Sequence, residues 1–322
     1  MSKFAFFFPG QGSQSVGMMS GFGDNAIIKQ TFVEASDILG VDFWAMATEP
    51  NELLNQTQHT QPLMLTAGVA TYRAFIQSRA ENDALQAANS KIIAYAGHSL
   101  GEYTALVASD AITFSDALPL VKYRAEVMQS AVPEGVGAMA AILGLDDEQV
   151  REACKEAAQG EANIEICEAV NFNSPGQVVI AGNKAAVERG MELAKAKGAK
   201  RVLPLPVSVP SHCALMRPAA EKLAEYLKNV TINTPRISVI HNADVVAYSD
   251  SEKIKDVLVR QLYSPVRWVE TVQAIHAQGI ANAAECGPGK VLTGLTKRII
   301  ADLPCAAFTS NEAILEFIQT NN

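Results

Sequence analysis

The sequence predicts an α/β protein: a parallel sheet covered on both faces, with a smaller ferredoxin-like βαββαβ unit inserted into it. Two observations carry this. Short apolar runs alternate with helical patterns in the first third of the chain and return near its end, the pattern of a buried parallel sheet. Between them the order becomes strand, helix, strand, strand, helix, strand, the split-βαβ arrangement. The inserted unit is bounded by Pro133-Glu134-Gly135 and by Pro204, Pro206 and Pro210. It divides the chain into a discontinuous large domain, residues 1–133 and 207–322, and a small domain, residues 134–206.

The elements follow in order. Residues 3–8 are an apolar strand ended by Pro9-Gly10, with a Gly/Gln/Ser loop at 9–15. Asp24 is positioned to cap a helix running through Leu39. Thr60-Gln61-Pro62 reads as the start of a helix to about Arg79, with proline in the first turn where its missing N–H costs nothing. KIIAYA, residues 91–96, is a second strand, and Leu100 to Val107 continues as helix. Ser115 opens a helix to about Ala131. In the insertion, strands are expected at 136–143, 164–172, 177–181 and 201–205, and helices at 146–159, opened by Asp146, and 184–197. Asn173-Ser174-Pro175-Gly176 is the turn between its middle strands. Helices return at 214–228, 251–262 and 266–278, and a last strand at 280–285 leads into Gly287-Pro288-Gly289 and a short helix.

Composition narrows the function. The 322 residues are 48% apolar and 19% charged, a globular balance. A net charge of −8 argues against a general attraction to nucleic acid or to anionic membranes. The five cysteines are scattered and odd in number, with no C-x-x-C pair, so reduced thiols in a cytoplasmic protein are expected, with no zinc site. The opening run Phe4 to Phe8 is too short for a signal h-region, which needs about 7–15 apolar residues.

The chemistry centres on Gly97-His98-Ser99-Leu100-Gly101, a G-x-S-x-G between an apolar strand and a helix. In a nucleophile elbow the serine occupies a strained turn, its hydroxyl exposed and the next backbone N–H aimed where an oxyanion forms. The competing structural reading is a small residue filling a tight corner. A nucleophilic serine needs a base, and the histidines are His59, His98, His212, His241 and His276. His98 adjoins Ser99, but neighbours on a turn diverge. His276 falls in a helical pattern. His212 lies between a proline-rich segment and a new helix, where it either hangs over a cleft or belongs to a helix-capping loop. The hydrolase order of serine, acid, histidine finds no aspartate between Asp147 and His212, and the chain contains no Asp-Gly pair. An amide or a main-chain carbonyl is left to orient the base. Gly10-Gln11-Gly12 lacks the third glycine of a dinucleotide fingerprint, and Gly287-Pro288-Gly289-Lys290 lacks the spacing of a phosphate loop. Both read as tight turns around a cleft.

Five motifs occur in a fixed order: Phe8-Pro9-Gly10-Gln11-Gly12-Ser13-Gln14, Gly97-His98-Ser99-Leu100-Gly101-Glu102-Tyr103, Asn171-Phe172-Asn173-Ser174-Pro175-Gly176-Gln177, Val209-Pro210-Ser211-His212 and Gly287-Pro288-Gly289. Together they closely resemble the bacterial malonyl-CoA:acyl carrier protein transacylases, the malonyltransferases of type II fatty acid synthesis, from residue 4 to about 300. The resemblance implies an α/β-hydrolase-like core with a ferredoxin-like insertion. It implies ping-pong transfer through a malonyl-Ser99 ester, with malonyl-CoA and acyl carrier protein as partners and no bound cofactor beyond the coenzyme A thioester substrate. It makes His212 the base and gives Gln11 and Leu100 the oxyanion-hole N–H groups. Gln261 becomes the residue orienting His212 through its carbonyl, and Gln61 a pocket glutamine. Arg124 becomes the acyl-selecting residue: a malonyl tail carries a carboxylate that a planar guanidinium grips through both oxygens. Ala125 stands where the family often has glycine. A monomer is the family expectation.

Two other classes compete with transfer. A serine thioesterase or lipase explains G-x-S-x-G alone, and a non-catalytic docking subunit explains none of the site. An acidic carrier protein meeting this acidic chain needs a local basic patch. Lys195, Lys197, Lys200, Arg201, Lys290, Lys297 and Arg298 are the candidates.

Overall fold

The computed structural model describes residues 3–81, 91–160, 164–207 and 209–321. Its first sheet has five strands in the order β7-β2-β1-β8-β9: β1 Lys3–Phe8, β2 Lys91–Gly97, β7 Ser238–Ile240, β8 Asn282–Glu285 and β9 Cys305–Ala307. Every pairing in it is parallel. Burial on both faces explains the unbroken apolar run of β1. Phe4, Phe6 and Phe8 point into one core, where the Phe6 ring stands edge-on to Phe75 at 4.8 Å. Ala5 and Phe7 point into the other, where Phe7 meets Trp268 at 5.4 Å.

The second sheet is antiparallel, in the order β4-β5-β3-β6, from β3 Gly137–Leu143, β4 Cys167–Ser174, β5 Gln177–Asn183 and β6 Arg201–Pro204. Helices Asp147–Ala157 and Lys184–Ala196 pack on one face of it, over a core of Ile142, Val150, Phe172, Val178, Ile180 and Val187. Asp146 opens the first of these helices with a full capping box, its side chain and that of Gln149 exchanging backbone bonds. The sheet is tied to the rest of the molecule through main chain: Phe172 N–H donates to Val266 O and Val266 N–H to Val170 O. All five cysteines are free thiols.

Several boundaries differ from the sequence expectation. Asn25, not Asp24, caps the helix Ala26–Leu39, accepting from the N–H groups of Ile27 and Ile28, while Asp24 pairs with Lys29. The next long helix spans Thr57–Ala80, so Pro62 lies in its second turn rather than its first. Pro62 has no N–H for the Gln58 carbonyl, and burial of the helix on its neighbours carries it through that gap. Thr113 caps Phe114–Ser130 through the Asp116 N–H, in place of Ser115. The strand expected at 164–172 spans Cys167–Ser174, so the turn reduces to Pro175-Gly176. The segments expected at 266–278 and 280–285 are the shorter Trp268–His276 and Asn282–Glu285. β7, β9 and the helices Phe43–Thr48 and Asn311–Thr320 are additional elements.

Candidate active site

The site lies at the carboxyl ends of β1, β2 and β8, where ligands bind in open parallel sheets. Ser99 follows β2 directly and has φ +50°, left-handed backbone that a serine rarely adopts. The turn requires both glycines. A Cβ on Gly97 would stand 1.8 Å from the Gly101 carbonyl carbon, and one on Gly101 would stand 2.0 Å from the Phe8 carbonyl oxygen. The loop after β1 crosses the same turn: a Cβ on Gly10 would lie 2.4 Å from the His98 carbonyl oxygen and 3.7 Å from the Leu100 nitrogen. This crossing sets Gln11 and Leu100 on one wall of the cavity above Ser99.

His212 enters from the segment that leaves the second sheet. Its own backbone is left-handed, φ +67°, and its N–H donates to Leu262 O. The ring Nδ1 lies 2.7 Å from the Gln261 carbonyl oxygen and Nε2 lies 2.8 Å from Ser99 Oγ. A carbonyl only accepts, so Nδ1 carries the hydrogen and Nε2 presents its lone pair to the serine hydroxyl. Burial, reinforced by the Arg124 charge, pushes the His212 pKa down to about 3. The imidazole is therefore neutral and able to accept a proton at any ordinary pH. His98 turns the other way: Nε2 meets Asn173 Oδ1 at 2.8 Å, and the ring leans on Trp268. His241 is buried in contact with Glu102, and neither His59 nor His276 lines the cavity.

Arg124, on the helix Phe114–Ser130, is 1% exposed, an extreme burial for a guanidinium. Nη1 donates to Gln61 Oε1 at 2.8 Å, and Nη2 to Gln261 Oε1 at 2.9 Å and to Ser99 Oγ at 3.3 Å. Its Nε is buried without a hydrogen-bond partner, and the Tyr103 ring lies 5.4 Å from its Cζ. Burial pulls its pKa below the usual arginine value, with Tyr103 and Glu102 opposing that pull; a guanidinium stays charged regardless. Ser99, His212, Arg124, Gln61, Gln11 and Leu100 thus border one cavity of about 390 Å³, and Gln261 stands behind it. The rest of its wall is mixed: Met139, Val179, Leu205, Val207, Val291 and Leu295 are apolar, and Asn171, Asn173 and Gln177 are polar. The turn Gly287-Pro288-Gly289 is closed by Glu285, whose buried carboxylate accepts from the N–H groups of Leu292 and Thr293 and so seats the helix Val291–Ile299 on that wall.

Two further residues support the candidate site, and the sequence assigned neither of them a role. Asn242 Oδ1 accepts from the Ser99 N–H at 2.7 Å, and its Nδ2 donates to Gly97 O at 2.7 Å, clamping both sides of the elbow. Glu102 accepts from the Asn242 N–H and from Gln261 Nε2, each at 2.9 Å. Glu102 carried a signal: a carboxylate in an apolar helix, three residues after the serine. Asn242 carried none. Of the basic candidates, Lys195 pairs with Glu192, and Lys197 with Glu152 and Glu156. Arg298 instead donates at 2.8 Å to Gln177, which lines the cavity. Among the described residues no group of three His, Cys, Asp or Glu side chains is arranged to hold a metal ion.

The chain is similar to proteins of known name. The acyl transferase domain model matches residues 5–310. The malonyl CoA-acyl carrier protein transacylase of Escherichia coli strain K12 is 53% identical over 316 residues, covering 98% of each chain. The enzyme of that name from Bacillus subtilis strain 168 is 42% identical over 322 residues, 99% of this chain and 98% of the relative. The crystal structure of an acyl-carrier-protein S-malonyltransferase from Burkholderia pseudomallei 1710b superposes with a TM-score of 0.92 at 54% identity, covering 98% of this chain and 99% of that one. A malonyl-transacylase solved in complex with its type II PKS acyl-carrier protein gives 0.93 at 50% identity, covering 99% of this chain and all of that one. By motif order, full-length identity and architecture, this chain belongs to the acyl transferase family, among its malonyl CoA-acyl carrier protein transacylases.

Proposed function

We propose that this protein moves a malonyl group from malonyl-CoA to the phosphopantetheine thiol of acyl carrier protein by way of a malonyl-Ser99 ester. The observation that carries the reading is Arg124: a buried guanidinium with neutral partners, one nitrogen 3.3 Å from the serine oxygen, at the inner end of the cavity. A permanent charge held there calls for an anionic tail on the acyl group, because a buried charge without an ionic partner is costly.

The steps follow from the hydrogen bonds. Ser99 Oγ attacks the thioester carbonyl as its proton passes to His212 Nε2. The carbonyl oxygen becomes an oxyanion beside the backbone N–H groups of Gln11 and Leu100. Collapse breaks the C–S bond, and the departing coenzyme A sulfur takes the proton from His212. The carrier-protein thiol then gives its proton to the same nitrogen, attacks the ester, and leaves malonyl on its sulfur and hydrogen on Ser99. The Gln261 carbonyl stabilises the transient imidazolium through Nδ1–H, as an aspartate does in other serine enzymes. Arg124 holds the malonyl carboxylate, with Gln61 beside it. No bound cofactor enters any step. Apolar wall residues suit the pantetheine arm, and Arg298, bonded to the cavity-lining Gln177, offers charge to an acidic carrier protein, with Lys297 and Lys290 on or beside the same helix.

The strand orders support reading the large part, 1–133 and 207–322, as an α/β-hydrolase-like core and 134–206 as a ferredoxin-like insertion. We take the protein to act as a monomer in the cytoplasm; among the described residues no helix is long and apolar enough to cross a membrane. The test is to incubate the protein with labelled malonyl-CoA and holo acyl carrier protein and to follow the label. Label on the carrier protein supports transfer. Free malonate formed at the same rate with and without carrier protein would make the protein a hydrolase.

A further inference from the structure

Arg124 makes direct hydrogen bonds to two amide oxygens and a hydroxyl, none of them an anion. One amide further on stands a carboxylate. Gln261 accepts from Arg124 through Oε1, and its Nε2 donates to Glu102 Oε2 at 2.9 Å and to Ser99 O at 3.0 Å. The bonds fix which end of the amide is which, since the guanidinium only donates and the carboxylate only accepts. Glu102 is fully buried. It also accepts from the Asn242 N–H at 2.9 Å, and its other oxygen lies 2.7 Å from His241 Nδ1. His241 Nε2 has no hydrogen-bond partner, so the binding capacity of that imidazole is directed at Glu102. The helix Gly101–Ala108 thus carries, at one end, the carboxylate behind Gln261 and the ring of Tyr103 beside Arg124.

We propose that Glu102 is a positioning residue for acyl selection: through the Gln261 amide it orients and counterbalances the Arg124 guanidinium before the substrate carboxylate arrives. This rests on the reading of Arg124 as the malonyl-carboxylate ligand. Glu102 touches neither substrate nor the reacting atoms. Its effect travels by one amide to Arg124 and, through Asn242, to the backbone on which Ser99 stands. A glutamine in its place has the same shape but accepts on one oxygen only. It therefore satisfies both sides only if His241 moves its ring hydrogen to Nε2, which has no partner to receive it; otherwise a donor meets a donor. Either way the Gln261 amide loses the anion that fixed its direction.

The readout is the ratio of malonyl to acetyl loading on Ser99, measured as kcat/KM for each coenzyme A thioester. Glu102→Gln is expected to lower that ratio about 10- to 100-fold, by analogy with the loss found when the partner that orients a metal ligand is removed. A purely structural role would slow both substrates alike and leave the ratio unchanged, which would overturn the proposal. Gln261→Leu cuts the same relay from the other end while keeping the main-chain carbonyl for His212, and is expected to lower the ratio similarly. It keeps the test decisive if Glu102→Gln does not fold. Arg124→Ala is the control. If it leaves the ratio unchanged, the carboxylate reading of Arg124 fails. If it changes the ratio while Glu102→Gln and Gln261→Leu do not, only the relay fails. In the Arg124→Ala background, adding Glu102→Gln is expected to change the ratio no further; an independent second drop would also contradict the relay.

Discussion

Arg124 Nη2 lies 3.3 Å from Ser99 Oγ, so a buried guanidinium of the cavity reaches the atom that would carry the acyl group. The Ser99–His212 pair makes an acyl-enzyme feasible. On the proposed reading the arginine selects the acyl group, because it favours a tail with a negative charge of its own.

Arg124→Ala is therefore expected to lose malonyl loading and gain relative acetyl loading. Truncating one side of a buried charged pair costs about 2–5 kcal/mol, roughly 30- to several-thousand-fold. Loading assays with malonyl-, methylmalonyl- and acetyl-CoA side by side measure this. An unchanged malonyl preference would remove Arg124 from its assigned place.

The pH dependence follows from His212. Its folded pKa of about 3 lies below the ordinary histidine value of 6.5. The base stays neutral as pH falls, so kcat/KM for loading should show no acid limb near 6.5 and little loss between about pH 7 and 5. A malonyl carboxylate on Arg124 offsets one cause of the depression, so the limb in kcat should lie above that in kcat/KM. An acid limb in kcat/KM at about 6.5 would contradict the assignment. The sign for stability is the same: the unfolded chain takes up the proton first. Stability is thus full above about 6.5 and declines as pH falls toward about 3, by on the order of 4 kcal/mol from this group. His212→Gln should flatten that part of the urea-midpoint profile.

The elbow glycines give a structural prediction. Gly101→Ala would drive a methyl to 2.0 Å from the Phe8 carbonyl oxygen, so the strand-turn-helix junction must shift. A loss of stability of about 2–4 kcal/mol, with reduced loading, is expected. Gly294 makes the contrast. It lies inside the helix Val291–Ile299 with nothing closer than 4.0 Å to an added Cβ. Gly294→Ala should leave loading intact and raise stability by about 0.5–1 kcal/mol. Thermal melts of the two variants check both signs.

Much of this was legible in the sequence, and the gaps have local causes. Ser99 announced itself because an elbow needs both glycines and a strand before it. Helix starts slipped by a residue or two where two capping side chains stand close together, as at Asp24 and Asn25 or Thr113 and Ser115. Which one caps depends on backbone angles that composition does not set. The start before Pro62 slipped because tertiary burial outweighed the usual meaning of a proline. β7 and β9 are three residues long, too short for any periodicity. The site itself is assembled from positions far apart in sequence. Asn242 meets Ser99 across 143 residues and Gln261 meets Glu102 across 159, and no local pattern encodes such encounters. For His212, residue logic left base and loop filler both open, and family resemblance rather than spacing separated them.

The most direct test of a malonyl group resting on Ser99 is intact-protein mass spectrometry after brief exposure to malonyl-CoA without carrier protein, followed by peptide mapping. The account predicts a mass increase of one malonyl group, mapped to Ser99, discharged on adding holo acyl carrier protein, and absent in Ser99→Ala. A protein that transfers malonyl with no covalent adduct, or an adduct that persists in Ser99→Ala, would contradict it.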